Sequence, residues 1–369
     1  MDNILTKKIV VTGTRGIPGI LGGVETVCGE LFPRIAAQGC DVTLIRRRSY
    51  VHDSLSVYKG VKLLDLQAPR MKSLETIVHT LRAVGVAKFK LRAGILHIHA
   101  VGPALVTPIA RLLGLKVVFT HHGPDYDRKK WNGIARFMLR LGERMGVRYA
   151  HEVIVISNVI NTHVKKKYGR TDACLIYNGV PEPDFTTGTQ YPESLGLTPQ
   201  QYIFTMGRFV PEKNFHQLIN AFATLRDKRC CRLVIAGDAD FEDAYARELK
   251  ALAHREGVIL TGFVKGAKLN ALLAHAGAFV LPSSHEGLPL SLLEAMTYNL
   301  PVLVSDIPAH LEMGLPGDAY FPAGNEEKLA EKLDALLDAM PFRRTYPLAQ
   351  YQWDRIAEQT LHVYRKLSD

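Results

Sequence analysis

Residues 277–306 read GAFVLPSSHEGLPLSLLEAMTYNLPVLVSD. A short apolar run, GAFVLP (277–282), has the character of a strand. A loop carrying Gly287 and Pro289 follows, then a helical stretch, then a second apolar run, PVLVSD (301–306). Short apolar runs bounded by turn residues and separated by helical periodicity are the signature of a β-α-β unit. Outward from this unit the pattern repeats. YIFTMG (202–207), RLVIAG (232–237) and VILTG (258–262) precede it. Earlier still stand KKIVVTG (7–13), DVTLI (41–45), GILHIHA (94–100), KVVFTH (116–121) and EVIVIS (152–157). Helical patterns fill the gaps, among them a helix from about Val24 to Ala37, NFHQLINAFATLRD (214–227) and KLAEKLDALLDAM (328–340). Two such series predict an α/β protein with two doubly wound parallel sheets.

The length of 369 residues also favours two domains. The segment NGVPEPDFTTGTQYPESLG (178–196), rich in Pro, Gly, Thr and acids, reads as the linker. The domains are expected at 1–185 and 186–350, with an amphipathic helix in YQWDRIAEQTLHVYRKL (351–367). A composition of 47% hydrophobic and 22% charged residues fits a folded chain rather than a disordered one. No apolar run approaches the ~20 residues of a membrane-spanning helix. The opening MDNILTKKIVVTG has no apolar export core, which points to the cytoplasm. Cys28, Cys40, Cys174, Cys230 and Cys231 form no C-x-x-C pair, so neither a disulfide framework nor a structural zinc site is expected.

Charge is uneven. The net +10 arises in residues 1–185, where 28 basic side chains face 14 acidic ones. The basic clusters are Arg46-Arg47-Arg48, Arg128-Lys129-Lys130 and Lys165-Lys166-Lys167. Such a field attracts anionic lipid, nucleic acid or phosphorylated substrates. Nucleic acid is disfavoured, because no helix-turn-helix, finger or aromatic RNA-binding pattern is present.

Open α/β sheets bind ligands beyond the carboxyl ends of their strands, so site residues are expected there. GTRGIPGILGGVET (13–26) joins the first strand to the first helix. Its glycines allow close backbone approach, the helix start suits a phosphate, and Arg15 adds a cation. The spacing is not G-x-G-x-x-G, and arginines end the second strand where NAD recognition wants an acid; an NADP site stays open on those arginines. In GRFVPEKN (207–214), Arg208 and Lys213 leave one strand end together, as a diphosphate leaving group requires. In HEGLPLSLLE (285–294), Gly287, Leu288 and Pro289 open a helix whose free N–H groups suit an anion. Glu286 before that helix and Glu294 within it are spaced to grip two parts of one extended, hydroxyl-rich ligand. A capping Glu286 and a solvated Glu294 are the bland alternative. In THHGPDYDRKKW (120–131), His122 sits at a strand end, where an imidazole can bond a sugar or shuttle a proton. His97, His99, His121 and His122 suggest a metal, but strand alternation is expected to separate them, and no metal is assigned.

Taken together, G-G-x-E, H-G-x-D, G-R-x4-K-N and E-G-L-P-L-S-L-L-E resemble the retaining family-4 glycosyltransferases of the GT-B fold. The first loop resembles the rhamnosyltransferase-like branch found in bacterial polysaccharide assembly. The resemblance implies two Rossmann-like domains facing a cleft, with the last helix packing back on the first domain. It implies that the first domain binds the acceptor and the second a nucleoside diphosphate sugar, with UDP, GDP and dTDP all open and no tightly bound cofactor. Arg208 and Lys213 match the diphosphate clamp, Glu294 the ribose-binding acid and Glu286 the acid near the donor sugar. His122 matches a histidine on that sugar, and Gly22 and Gly23 the glycines against the diphosphate. Gly262, Phe263 and Val264 match the segment that reads the base. Arg15, Glu25, Asp125 and Arg128 are candidates on the acceptor side.

The implied activity is retaining transfer to a hydroxyl of a lipid-linked or soluble glycan, without a metal, at the inner face of the cytoplasmic membrane. Asn299 before Leu300-Pro301, the acid-free KGAKLNALL (265–273) and Pro181-Glu182 depart from the family pattern. A sugar-nucleotide epimerase on the same fold and a non-catalytic sugar-nucleotide-binding scaffold are the rival readings.

Overall fold

The computed structural model describes residues 7–20, 22–68, 75–124, 126, 133–225, 231–239 and 242–367. They divide into two compact units. One comprises residues 1–179 together with 350–369, the other residues 180–349.

In the first unit the strands are β1 (Ile9–Thr12), β2 (Val42–Arg47), β3 (Val57–Tyr58) and β4 (Val61–Leu66). They continue with β5 (Ile95–His99), β6 (Lys116–His121), β7 (Glu152–Val155) and β8 (Cys174–Leu175). Their order across the sheet is β3-β4-β2-β1-β5-β6-β7-β8, and all pairs are parallel except β3 with β4. β1 and β7 are mainly apolar, and β5, which carries His97 and His99, is buried throughout, as central parallel strands covered on both faces must be. Gly13 ends β1 at φ +97°, and a Cβ there would lie 2.1 Å from the carbonyl oxygen of His99 on β5. Only glycine fits where these two strand ends meet. The helix Trp353–Arg365 packs against the helix Gly23–Ala37. Tyr364 on it reaches His97 of β5, 2.6 Å from oxygen to ring nitrogen.

The second unit holds β9 (Tyr202–Met206), β10 (Arg232–Ala236), β11 (Ile259–Gly262), β12 (Ala278–Leu281), β13 (Val302–Ser305) and β14 (Tyr320–Phe321). They run β11-β10-β9-β12-β13-β14, all parallel. Counted within the unit this is 3-2-1-4-5-6, the doubly wound order whose topological switch point lies between its first and fourth strands, β9 and β12. Phe209, Phe215, Leu218 and Phe222 pack with Ile203 and Val280 into the core on one face of this sheet.

The structure corrects two readings. The stretch 178–196 does contain the boundary between the units, but beyond it the chain is tied down rather than slack. Asp184 N–H donates to the Tyr298 hydroxyl at 3.0 Å, the Thr187 carbonyl pairs with His275 at 2.9 Å, and Gln190–Ser194 forms a short helix against Ala267–His275. Its polar composition reflects surface exposure, not slack. Nor is Arg46-Arg47-Arg48 an exposed basic cluster. Arg46 is 1% exposed, its Nε 2.7 Å from Asp65 and its Nη1 2.9 Å from Asp53. Arg47 is half-buried against Thr76, and Arg48 pairs with Asp65. The NADP reading loses its cations here. β4, which supplies Asp65, escaped the sequence reading.

Candidate active site

A polar constellation of the second unit stands at its switch point. The loop after β9 turns through Pro211–Lys213, and Asn214 follows at φ +50°. Two bonds tie this loop to the one after β12. Asn214 Nδ2 donates to the Pro282 carbonyl at 3.1 Å, and Ser284 N–H donates to the Glu212 carbonyl at 2.8 Å. The two loops therefore hold one shape together, and they carry Lys213 to Glu286. Lys213 Nζ donates to Glu286 Oε1 at 2.7 Å, and Ser283 Oγ donates to the same oxygen at 2.7 Å. Burial opposes a charge on Glu286, but Lys213, His310 and the Ser283 hydroxyl hold its carboxyl below the usual range. The sequence reading gave Lys213 and Glu286 separate parts of a ligand; in this structure they hold each other. Arg208 lies on the same loop, directly after Gly207.

The helix Leu290–Thr297 opens after Gly287, Leu288 and Pro289. Pro289 is its N-cap rather than its first helical residue, and no side chain caps that end. Glu294 sits half-buried within the helix. Burial pushes its carboxyl up to about 7. The two acids of one short segment are thus held in different protonation regimes. Gly262 ends β11 at φ +67°, followed by exposed Phe263 and by Val264, on the outermost strand of that side of the sheet.

His310 was missed by the sequence reading. It follows β13, is fully buried, and its Nδ1 lies 2.8 Å from the Ser305 carbonyl. Its Nε2 has no hydrogen-bond partner among the described residues. Burial and the charge of Lys213 lower its pKa, against the pull of Glu286. The rule that functional groups follow strand ends applies to DIPAH (306–310) as much as to the loops that were singled out.

In the first unit, His122 follows β6 with its Nε2 2.9 Å from His99 Nδ1. The His99 ring stacks on His97 at 4.3 Å, and His97 is held by Tyr364 and by Thr120 at 2.6 Å each. Burial pushes His97 down to about 3 and also lowers His99, so both buried rings are neutral at physiological pH. The expectation that alternation separates the histidines fails for this column. His97 and His99 are two residues apart on one strand and share a face. His121 alone points elsewhere. Its Nε2 meets the fully buried Glu143 at 2.9 Å, and its Nδ1 accepts from Gly123 N–H at 3.0 Å. Glu143 also receives Lys167 at 2.8 Å, both Tyr126 and His163, and a short bond from Tyr168. These donors hold its carboxyl well below the usual range despite burial.

Arg15 and Glu25 pair with one another, Nε to Oε1 at 3.2 Å, and Arg15 N–H and the Thr14 hydroxyl donate to the same oxygen. Gly22 caps the helix Gly23–Ala37 without any side-chain bond. Asp125 and Arg128, with the cluster Arg128-Lys129-Lys130, lie outside the described residues.

The two sheets and their strand orders define the GT-B class of α/β protein. Residues 21–182 match the model of Glycosyltransferase Family 4, and residues 189–351 match that of Glycosyl transferases group 1. The chain belongs to these glycosyltransferase families and is a transferase of that class. It is 28% identical over 233 residues to an uncharacterized glycosyltransferase of Methanocaldococcus jannaschii, covering 58% of this chain and 60% of that one. A UDP-Gal:alpha-D-GlcNAc-diphosphoundecaprenol alpha-1,3-galactosyltransferase of Escherichia coli is 26% identical over 81% of this chain and 80% of its own. Among solved structures, the sucrose-phosphate synthase of Thermosynechococcus elongatus superimposes with a TM-score of 0.83 at 21% identity, covering 98% of this chain and 99% of that one.

Proposed function

We propose that this glycosyltransferase moves a sugar from a nucleoside diphosphate sugar to a hydroxyl of a saccharide carried on a lipid diphosphate, with retention at the anomeric carbon, in the assembly of a cell-surface polysaccharide. The observation that carries the reading is the pairing of Lys213 with Glu286 at the switch point of the second sheet, with Arg208 on the same loop. Departure of a nucleoside diphosphate needs fixed positive charge where negative charge develops. Arg208, Lys213 and the uncapped start of the helix Leu290–Thr297 supply it in this proposal. Glu286 then turns to the donor sugar, Glu294 takes the ribose hydroxyls, and Gly262, Phe263 and Val264 meet the base. His122 with Gly22 and Gly23 serves the sugar and diphosphate from the first unit, which also receives the acceptor.

No carboxylate is assigned as a covalent nucleophile. The departing phosphate takes the acceptor's proton, so the acceptor oxygen attacks from the face the leaving group vacates. The names of the relatives support the donor and acceptor classes, since the Escherichia coli relative is a UDP-galactose enzyme acting on a diphosphoundecaprenol-linked sugar. Work at the inner face of the cytoplasmic membrane follows from such an acceptor.

The test is a panel of uridine, guanosine and deoxythymidine diphosphate sugars with a lipid-diphosphate-linked saccharide. One donor is expected to give a glycosylated product whose anomeric configuration by NMR matches the donor's. Inversion overturns the retaining mechanism. Conversion of the donor to an epimer without transfer overturns the function.

A further inference from the structure

The helix Gly133–Tyr149 has two unlike faces. Inward, Gly142 and Gly146 let it lie flush on its neighbours. A Cβ at Gly142 would come within 2.1 Å of the Val101 carbonyl oxygen, and one at Gly146 within 2.7 Å of the Ala104 Cβ. Outward, at 3.6 residues per turn, Phe137, Arg140, Leu141, Arg144 and Arg148 fall into one stripe. These five residues, with Lys167 and Tyr168 of the neighbouring helix Asn158–Tyr168, line a concavity of about 590 Å³. A second, of about 620 Å³, shares Arg148 and Tyr168 and adds Arg111.

Much of the cationic charge nearby is already spent. Lys167 is held by Glu143, and Arg170 by Asp172 and three backbone carbonyl bonds. Arg140, Arg144 and Arg148 are different. All three are exposed; Arg140 lies over the Tyr126 ring at 5.2 Å and Arg148 over the Tyr149 ring at 6.0 Å, and none forms an ion pair with a carboxylate among the described residues. Among the described residues they set three charges without an ion pair along ~12 Å of helix. The face is also apolar in a way that a site for free phosphate does not need. Phe137 is 63% exposed, and Ile134, one turn earlier, is 79% exposed. Arginines beside outward aromatic and aliphatic groups on one helix complement an anionic bilayer, which offers phosphate at its surface and hydrocarbon just beneath it.

We propose that this face docks the first unit on an anionic lipid surface, with Arg140, Arg144 and Arg148 on headgroup phosphates and Phe137 and Ile134 in the interfacial layer. The inference rests on the reading that the acceptor is membrane-borne and names the surface that reaches it.

The test uses the full chain and vesicles carrying neither donor nor acceptor, so docking is read separately from transfer. Wild type is expected to sediment at low salt with vesicles of equal parts phosphatidylglycerol and phosphatidylcholine, and not with phosphatidylcholine alone. Arg140→Glu, Arg144→Glu and Arg148→Glu combined should weaken this on the order of 100-fold or more, at about a fivefold loss for each cation removed. The same charge change in the second unit, by Arg247→Glu, Arg255→Glu and Lys328→Glu, should leave most of the binding. Phe137→Trp should add emission that shifts to the blue on the mixed vesicles. If the first triple variant does not fold by thermal denaturation, the Arg→Gln triple replaces it.

Equal loss in both triples reduces the effect to net charge and overturns the proposal. So does displacement of the vesicles by glycerol phosphate or a single-stranded oligonucleotide that binds with the same dependence on the three arginines. Vesicle binding without transfer to a lipid-linked acceptor overturns only the acceptor reading.

Discussion

Lys213 and Glu286 lie 73 positions apart in sequence and 2.7 Å apart in space, 18% and 13% exposed. They meet because two loops leave adjacent strand ends at a switch point. The pair makes the site electrically quiet until a ligand competes for it. Lys213→Ala should cut transfer by about 100-fold or more, as loss of a leaving-group cation does. It should also cost ~2 kcal/mol of stability, because Glu286 is left poorly solvated without its partner. Adding Glu286→Gln to Lys213→Ala should restore part of the stability and none of the activity. Urea unfolding and initial rates of the two variants check this.

Glu294 makes a prediction of opposite sign to that of an ordinary paired acid. Its folded-state pKa, about 7, stands above the free value of 4.5 because of burial. Folding therefore favours the protonated form, and stability declines as the pH rises across that window. Glu294→Gln should flatten the decline and exceed wild type in melting temperature at alkaline pH. If the carboxylate binds ribose hydroxyls, nucleotide affinity should strengthen in wild type between pH 6 and 8, about the pKa, and lose that dependence in the variant. Isothermal titration across pH measures it.

Glu143 has the reverse profile. Its carboxyl is held below the free value of 4.5 by His121, His163 and Lys167, so its contribution is complete above that value and fades as the pH falls below it. Glu143→Gln should lose ~3 kcal/mol at neutral pH by leaving Lys167 and the histidines without their acceptor. Its stability should also be less acid-sensitive than that of wild type. Thermal unfolding as a function of pH tests both statements.

Arg46 is a test of geometry rather than charge. Its Nε, Nη1 and Nη2 serve Asp65, Asp53 and the Leu55 carbonyl from one planar fork, and Nη1 also reaches the Ile17 carbonyl. A lysine keeps the charge but cannot make these bonds together. Arg46→Lys is expected to cost ~2–3 kcal/mol in urea unfolding.

The long central strands were legible in the sequence because each is an apolar run ended by turn residues. The helix Gly23–Ala37 was placed within one residue of its start. Strands β3, β4, β8 and β14 were not, since they are short, marginal or partly polar, and β4 carries Asp65 for the buried Arg46. The loops holding Lys213 and Glu286 were visible from glycine, proline and charge at strand ends. Their ion pair was not, because pairing across 73 residues follows from strand order, which local pattern does not encode. For the same reason a run of three arginines read as a surface patch, when its first member is the inside of a buried network. The Glu143 cluster gathers residues from a strand, a loop and two helices, so no short motif announces it.

The helix Trp353–Arg365 belongs to the first unit, although 170 residues of the second are inserted ahead of it. During synthesis the inserted unit is complete while the earlier one still lacks its final helix. Until that helix emerges, His97 has no Tyr364 and the Lys7 ammonium has no Leu367 carbonyl at 2.7 Å. A released chain that stops at residue 349 would thus hold one finished body and one open body, and the open one is where a chaperone would be expected to bind.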